Sequence, residues 1–282
     1  MATTTQWRKI LYEKQDYADN YVDASFLNEL RKNLFVRAYD YQTLVVESTC
    51  ITQQFTSIAL FIAMFFCMED HSVSPQAFWV LASLLTICGY TSNMMMLKFQ
   101  GSEVTIELFL RHLKTCLLFQ GFSAALSPLL VSLTETISTD TIYAMTTVML
   151  LANLLFYNYQ SSEESVPGAL SLNAAVFASV CLASRLHTPW HAFTTVTTSF
   201  ELFALWPLFR RNLKTWNQTT HVIFSLILTC VCIICLGSKT FVGAVLYTLV
   251  VLFVTCVCPA WLYRLQPHKN NIYGPWDEAT PT

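Results

Sequence analysis

Apolar residues gather into eight long runs separated by short polar stretches, at 44–67, 77–96, 115–133, 141–157, 166–183, 188–208, 221–236 and 241–262. A helix needs about 20 mostly apolar residues to cross the hydrocarbon layer of a bilayer. Runs of this length with few charges predict membrane-spanning helices rather than strands. The chain therefore reads as all-α, a polytopic membrane helix bundle of about eight transmembrane helices. The fourth, fifth and seventh runs are short, so their ends are expected only to within a few residues. No connection is long enough to fold as a separate domain. Three parts follow: an N-terminal segment (1–43), the membrane bundle (44–263) and a C-terminal tail (264–282).

Basic residues set the orientation, because Lys and Arg accumulate in the cytoplasmic loops of membrane proteins. With the N-terminus in the cytosol, 14 of the 16 basic residues fall on that side, and only Arg185 and Lys239 lie on the other. Losing one weak span would scramble that segregation. Both termini are thus expected to be cytosolic. The first twenty residues contain no apolar core and no small-residue cleavage site, so no removable signal peptide is expected, and the first span should act as its own insertion signal. No lipidation box or retrieval tetrapeptide is seen at Pro281 and Thr282. The sequon Asn217-Gln218-Thr219 falls on the cytosolic side and should remain unmodified.

Local patterns add detail. From Asp23 onward, Phe26, Leu27, Leu30 and Leu34 share a helical face while Arg31 and Lys32 lie elsewhere. This predicts an interfacial amphipathic helix on the cytosolic membrane surface, or equally one docked on a partner. Trp79, Trp190, Trp206, Trp216 and Trp261 fall near span ends, where amphipathic rings favour the headgroup layer. Asp140 stands just before the fourth span, placed to cap its amides. In the fifth span, Ser171, Ala175, Ser179 and Ala183 recur every fourth residue, and Ala174 and Ala178 widen the stripe. Small residues let membrane helices approach closely, so this stripe is read as helix packing and the helix as central.

Composition narrows the chemistry. Hydrophobic residues make up 54% of the 282 and charged residues 12%, with a mean hydropathy of +0.45; soluble domains carry roughly twice that share of charge. A net charge of -2 gives no polybasic footprint, so no nucleic-acid partner is expected. The seven glycines form no phosphate-cradling loop, and no nucleophile elbow, histidine–carboxylate metal motif or paired-aspartate signature occurs. Ten cysteines lie in or beside apolar runs, where a thiol behaves as a small hydrophobe; they are expected to be reduced and unpaired, with no metal and no cofactor. Glu201 is the one carboxylate well inside a span, an intramembrane acid of unassigned role. It either faces the bundle interior and bonds to a nearby Thr or Ser, or reaches toward the cytosolic interface near Arg210. His187 and His191 flank Pro189 and Trp190 in a far-side loop. Glu47 and the pair Gln53 and Gln54 either line a cavity or hydrogen-bond across helices. No catalytic residue is expected.

Several segments in fixed order carry a resemblance: WRKILYEKQDYADNYVDASFLNELRKN (7–33), STDTIYAM (138–145), SLNAAVFASVCLASRL (171–186), FALWPL (203–208), GAVL (243–246), RLQ (264–266) and NIYGPWDEA (271–279). Together they resemble PIG-C, a subunit family of phosphatidylinositol N-acetylglucosaminyltransferase, over essentially the whole chain. The resemblance implies a multi-pass subunit of an endoplasmic reticulum membrane complex. That complex transfers N-acetylglucosamine from UDP-N-acetylglucosamine to phosphatidylinositol, the first step of glycosylphosphatidylinositol (GPI) anchor biosynthesis. Catalysis in the family is assigned to a separate subunit, PIG-A, with PIG-H, PIG-P, PIG-Q and PIG-Y as further partners. This chain would then be a membrane scaffold. Arg31, Lys32 and Arg37 are candidates to attract the headgroup of an anionic lipid such as phosphatidylinositol, and Trp276, Asp277 and Glu278 to dock a partner. On the residues alone, a polytopic lipid or small-molecule transporter is the alternative. Such proteins often carry internal repeats and broken helices, and no convincing repeat is found here.

Overall fold

The structure is a computed structural model and describes residues 14–15, 17–18, 21, 31–32, 38–101, 105–132, 137–159, 168–269 and 272–273. Eight helices occupy these residues, one for each apolar run. They are α1 (Tyr41–Glu69), α2 (Pro75–Phe99), α3 (Ile106–Ser132), α4 (Thr139–Phe156), α5 (Ala169–Ala183), α6 (189–216), α7 (Gln218–Gly237) and α8 (Phe241–His268). The protein is an all-α membrane bundle. Six of the helices, all but α5 and α6, are long and apolar enough to cross a bilayer. The short α5 has 15 residues, and the second half of α6 carries Arg210, Arg211, Asn212 and Lys214.

Helix starts are written in short signals. Ser74 and Thr188 each accept the amide of the third residue on, Ala77 and His191, and each precedes a proline at the first helical position. That proline has no amide to leave orphaned. Ser138, not Asp140, caps α4: its hydroxyl accepts from the Thr141 amide, and Asp140 sits inside the first turn. There its charge still favours the helix N-terminus. Asn217 accepts from the amides of Thr219 and Thr220 at 2.9 and 3.3 Å, capping α7. Asn217→Ala should cost about 1 kcal/mol, read as a melting midpoint a few degrees lower, while Asn217→Asp or Asn217→Ser should restore it.

Prolines also shape α6 and α8. Each contains a π-helical turn, Glu201–Leu205 and Phe253–Val257, and each turn ends two residues before a proline, Pro207 or Pro259. A proline has no N–H for the carbonyl four residues back and its ring crowds that carbonyl. Widening the preceding turn relieves both problems. Hydroxyls in the first half of α6 bond back to their own helix, Thr195 to the His191 carbonyl and Thr197 to that of Phe193, both at 2.8 Å, which hides them from an apolar surrounding.

The chain forms two compact units, Leu44–Pro259 and a second made of Met1–Thr43 with Ala260–Thr282. In the first, α1 is the most buried of the six long helices. Its Ile58, Phe61, Met64, Phe65 and Met68 pack with Leu150 of α4, Ala175, Ala178 and Leu182 of α5, and Phe203 of α6. The Phe61 and Phe203 rings meet edge to face at 5.6 Å. A second cluster joins Ala59 to Cys232 of α7 and Tyr247 of α8. α5 packs most extensively on α4 and also on α6. Ser171, Ala175, Ser179 and Ala183 are all fully buried there. All ten cysteines are free thiols.

In the second unit, the strands β1 (Arg31–Lys32) and β2 (Ile272–Tyr273) pair antiparallel, Arg31 opposite Tyr273. The Gln266 amide brackets the Tyr39 backbone, donating to its carbonyl at 3.1 Å and accepting from its N–H at 3.0 Å. The backbone at Arg31 and Lys32 is therefore extended and not part of a surface helix. Phe26, Leu30 and Leu34, four apart, share a face in a helix or a strand alike, so their spacing did not decide between the two. Arg37, Trp276, Asp277 and Glu278 lie outside the described residues.

Candidate functional site

Buried polar side chains of α1, α4, α5 and α6 are linked to one another toward the end of the bundle where α4 and α6 finish. Hydrogen bonds run through four helices in series. Arg210 of α6 donates from Nη2 to Gln54 Oε1 of α1 at 2.7 Å. Gln54 Nε2 donates to Asn153 Oδ1 of α4 at 2.8 Å. Asn153 Nδ2 donates to both the carbonyl and the hydroxyl of Ser171, in α5, each at 2.9 Å, and the Ser171 hydroxyl donates back to the Asn153 carbonyl. Gln54, Asn153 and Ser171 are at most 1% exposed and Arg210 is 3% exposed. In an apolar surrounding each such group must find its partner within the protein.

Arg210 ends this chain with a surplus. Its guanidinium lies 4.7 Å from the Tyr157 ring centroid, a cation–π contact, yet Nη1 is buried without a hydrogen-bond partner. Nearby, Arg211 reaches the Tyr157 hydroxyl at 3.4 Å. Lys214 pairs with Glu47 at 2.7 Å. Burial lowers the Lys214 ammonium, but the hydrogen bond and charge of Glu47, with Cys50, outweigh it and hold the group above the usual lysine value. It is a fixed cation. Burial also pushes the Tyr159 phenol up to about 12 against the charge of Arg210, so it stays neutral. His221 is fully buried, and neither of its ring nitrogens has a partner. Gln53, next to Gln54 and 1% exposed, has both amide atoms unsatisfied.

Other sequence candidates lie elsewhere. Glu201 sits half-buried in the π turn of α6 with Thr86 of α2 as its hydrogen-bond partner, while Arg210 turns to Gln54. His187 and His191 meet His71 at the other end of the bundle, with ring centroids 5.4 and 6.2 Å from it. Among the described residues no His, Cys, Asp or Glu cluster could hold a metal. The sequence marked Arg210 only as an orienting charge and as a landmark for Glu201, and Asn153 not at all. A lone Asn inside the otherwise apolar run of α4 was the signal that could have marked it.

Across residues 7–277 the chain matches the family model described as phosphatidylinositol N-acetylglucosaminyltransferase, GPI2. The chain belongs to the GPI2 family. Among GPI2-family relatives, the phosphatidylinositol N-acetylglucosaminyltransferase subunit of Homo sapiens is 42% identical over 276 residues, covering 97% of this chain and 92% of the relative. The putative phosphatidylinositol N-acetylglucosaminyltransferase subunit of Dictyostelium discoideum is 39% identical, covering 98% and 79%. The GPI2 subunit of Schizosaccharomyces pombe is 31% identical, covering 98% and 86%. No solved structure matches this GPI2-family chain.

Proposed function

We propose that this chain is a non-catalytic membrane scaffold subunit of the complex that transfers N-acetylglucosamine from UDP-N-acetylglucosamine to phosphatidylinositol, the first step of GPI-anchor biosynthesis. The observation that carries this reading is a mismatch between name and build. The matched family is named for a sugar transfer, yet the described residues form apolar helices whose buried polar side chains bond mainly to one another or to helix carbonyls. A nucleotide-sugar transferase needs a polar cleft for the diphosphate, whereas two hollows among the described residues are mainly apolar, one lined by side chains such as Phe55, Ile58 and Leu236 and the other by Leu110, Leu113 and Leu117 with Lys114. The sugar chemistry is therefore assigned to a partner.

In this reading all eight helices span the endoplasmic reticulum membrane, and both termini and the Arg210 end face the cytosol. The partners are a glycosyltransferase subunit of the PIG-A kind together with PIG-H, PIG-P, PIG-Q and PIG-Y. Arg31, Lys32 and Arg37 stand in the cytosolic segment as attractors of anionic lipid, Trp276, Asp277 and Glu278 as a docking peptide, and the stripe Ser171, Ala175, Ser179 and Ala183 as the internal packing seam. Affinity purification from a mild detergent tests the assignment. A glycosyltransferase subunit should co-purify, and the eluate should transfer N-acetylglucosamine to phosphatidylinositol. A chain that purifies alone would refute the reading.

A further inference from the structure

Among the described residues, Arg210 has no anion to balance its charge. Arginine keeps its proton in any protein setting, so a buried guanidinium cannot escape desolvation by becoming neutral as a lysine or histidine does. It needs an anion. Among the described residues no carboxylate lies within ion-pair distance of Arg210, and the nearby carboxylate Glu47 is engaged by Lys214. Arg211 packs on the same Tyr157 ring at 5.9 Å, and Lys214, one helical turn on, is paired with Glu47 and leaves no carboxylate over for Arg210. Three more buried groups, Nη1 of Arg210, the Gln53 amide and the His221 imidazole, have hydrogen-bonding capacity left over.

We propose that this end of the bundle binds a phosphate oxyanion, with Nη1 of Arg210 as its principal donor, the Arg211 cation beside it and the His221 imidazole as a neutral hydrogen-bonding neighbour. The guanidinium fork suits phosphate oxygens. Arg210 also lies just beyond the apolar run of its helix, between Trp206 and Trp216, at the level where phospholipid phosphodiesters sit. A membrane phospholipid is one source of that oxyanion, and a soluble phosphate or nucleoside diphosphate is the other. Choosing phosphatidylinositol as the first probe rests on the transferase reading; the site itself rests on geometry. Co-purification and anion binding can fail independently, so the two readings are separable. Because Nη1 is enclosed, the covering side chains must part for the anion to enter, and the readout is equilibrium stabilisation.

The full chain, purified in neutral maltoside micelles, is melted alone and with phosphatidylinositol, phosphatidylcholine, inorganic phosphate or UDP. Phosphatidylinositol should raise the wild-type midpoint by about 3 °C or more, and phosphatidylcholine, which carries the same phosphodiester beside a choline cation that Arg210 and Arg211 repel, should raise it less. Arg210→Met removes an unbalanced buried charge but also leaves Gln54 Oε1 without its donor, so without anion its midpoint should lie within about 5 °C of the wild type. It should lose the phosphatidylinositol response or need about tenfold more lipid, and Arg210→Lys should keep part of the response. An Arg210-dependent rise with inorganic phosphate or UDP as large as that with the lipid supports the oxyanion site and gives it a soluble source. Equal responses in wild type and Arg210→Met, or no response to any of the anions, would overturn the proposal. So would Arg210→Met melting far below the wild type without anion, since the guanidinium would then be a structural strut. Native mass spectrometry of the wild type gives a second reading that needs no variant: anionic lipid should survive micelle stripping at ratios where phosphatidylcholine is lost, and equal loss of both contradicts the site.

Discussion

Asn153→Ala should lower the stability of the bundle by roughly 2–3 kcal/mol, because it strips partners from two neighbouring helices at once. Gln54 Nε2 loses its acceptor, and the Ser171 hydroxyl loses a donor while both are sealed from water. A single interhelical hydrogen bond in a membrane protein is worth only about 0.6 kcal/mol on average. The larger expectation comes from orphaned groups with no solvent to turn to. Thermal unfolding in detergent should show a midpoint lower by roughly 5–10 °C. Asn173→Ala is the control, on the same α4–α5 pair but exposed, and should change stability by less than about 0.5 kcal/mol. Equal effects from the two variants would mean that the four-helix hydrogen-bond series contributes little.

Enlarging the α5 seam should be comparably damaging. Ala175 and Ala178 are fully buried and belong to the cluster that includes Phe61 and Phe203. Each Cβ stands where two helices approach closely, so a leucine there forces backbones apart or side chains off their rotamers. Overpacking typically costs about 1–3 kcal/mol per site. The double variant Ala175→Leu with Ala178→Leu should therefore reduce the recovered folded protein several-fold on size-exclusion chromatography. Phe177 lies between them in sequence but is exposed, and Phe177→Leu should leave the elution profile unchanged. A well-folded double variant would show that α5 has room to spare, contrary to its place in the core.

Much of the architecture was legible because a membrane demands long apolar runs, and the eight runs became eight helices in the same order. The burial of α5 was legible for a related reason, since small residues at a four-residue period have few uses other than close contact. What the sequence hid was partnership. Gln54, Asn153 and Arg210 are separated by 99 residues or more in the bonds they make with one another via Gln54, and no local pattern announces which polar residue meets which. Ser138 took the capping role expected of Asp140 because the helix begins two residues earlier than the apolar run suggested. Arg31 and Lys32 went into a strand pairing because the apolar spacing around them suits either conformation. Pro207 and Pro259, near the ends of apolar runs, hinted at a distortion there, but Pro128 sits inside α3 with no π turn before it, so the prolines alone did not announce the two π turns.

The most direct test of the scaffold reading is sugar transfer measured on the purified chain, with and without the transferase partner, in liposomes containing phosphatidylinositol and UDP-N-acetylglucosamine. Product should be absent with the chain alone and appear only when the glycosyltransferase subunit is present, at a higher rate with this chain than without it. Turnover by the isolated chain, or a partner whose rate is indifferent to its presence, would contradict the scaffold reading.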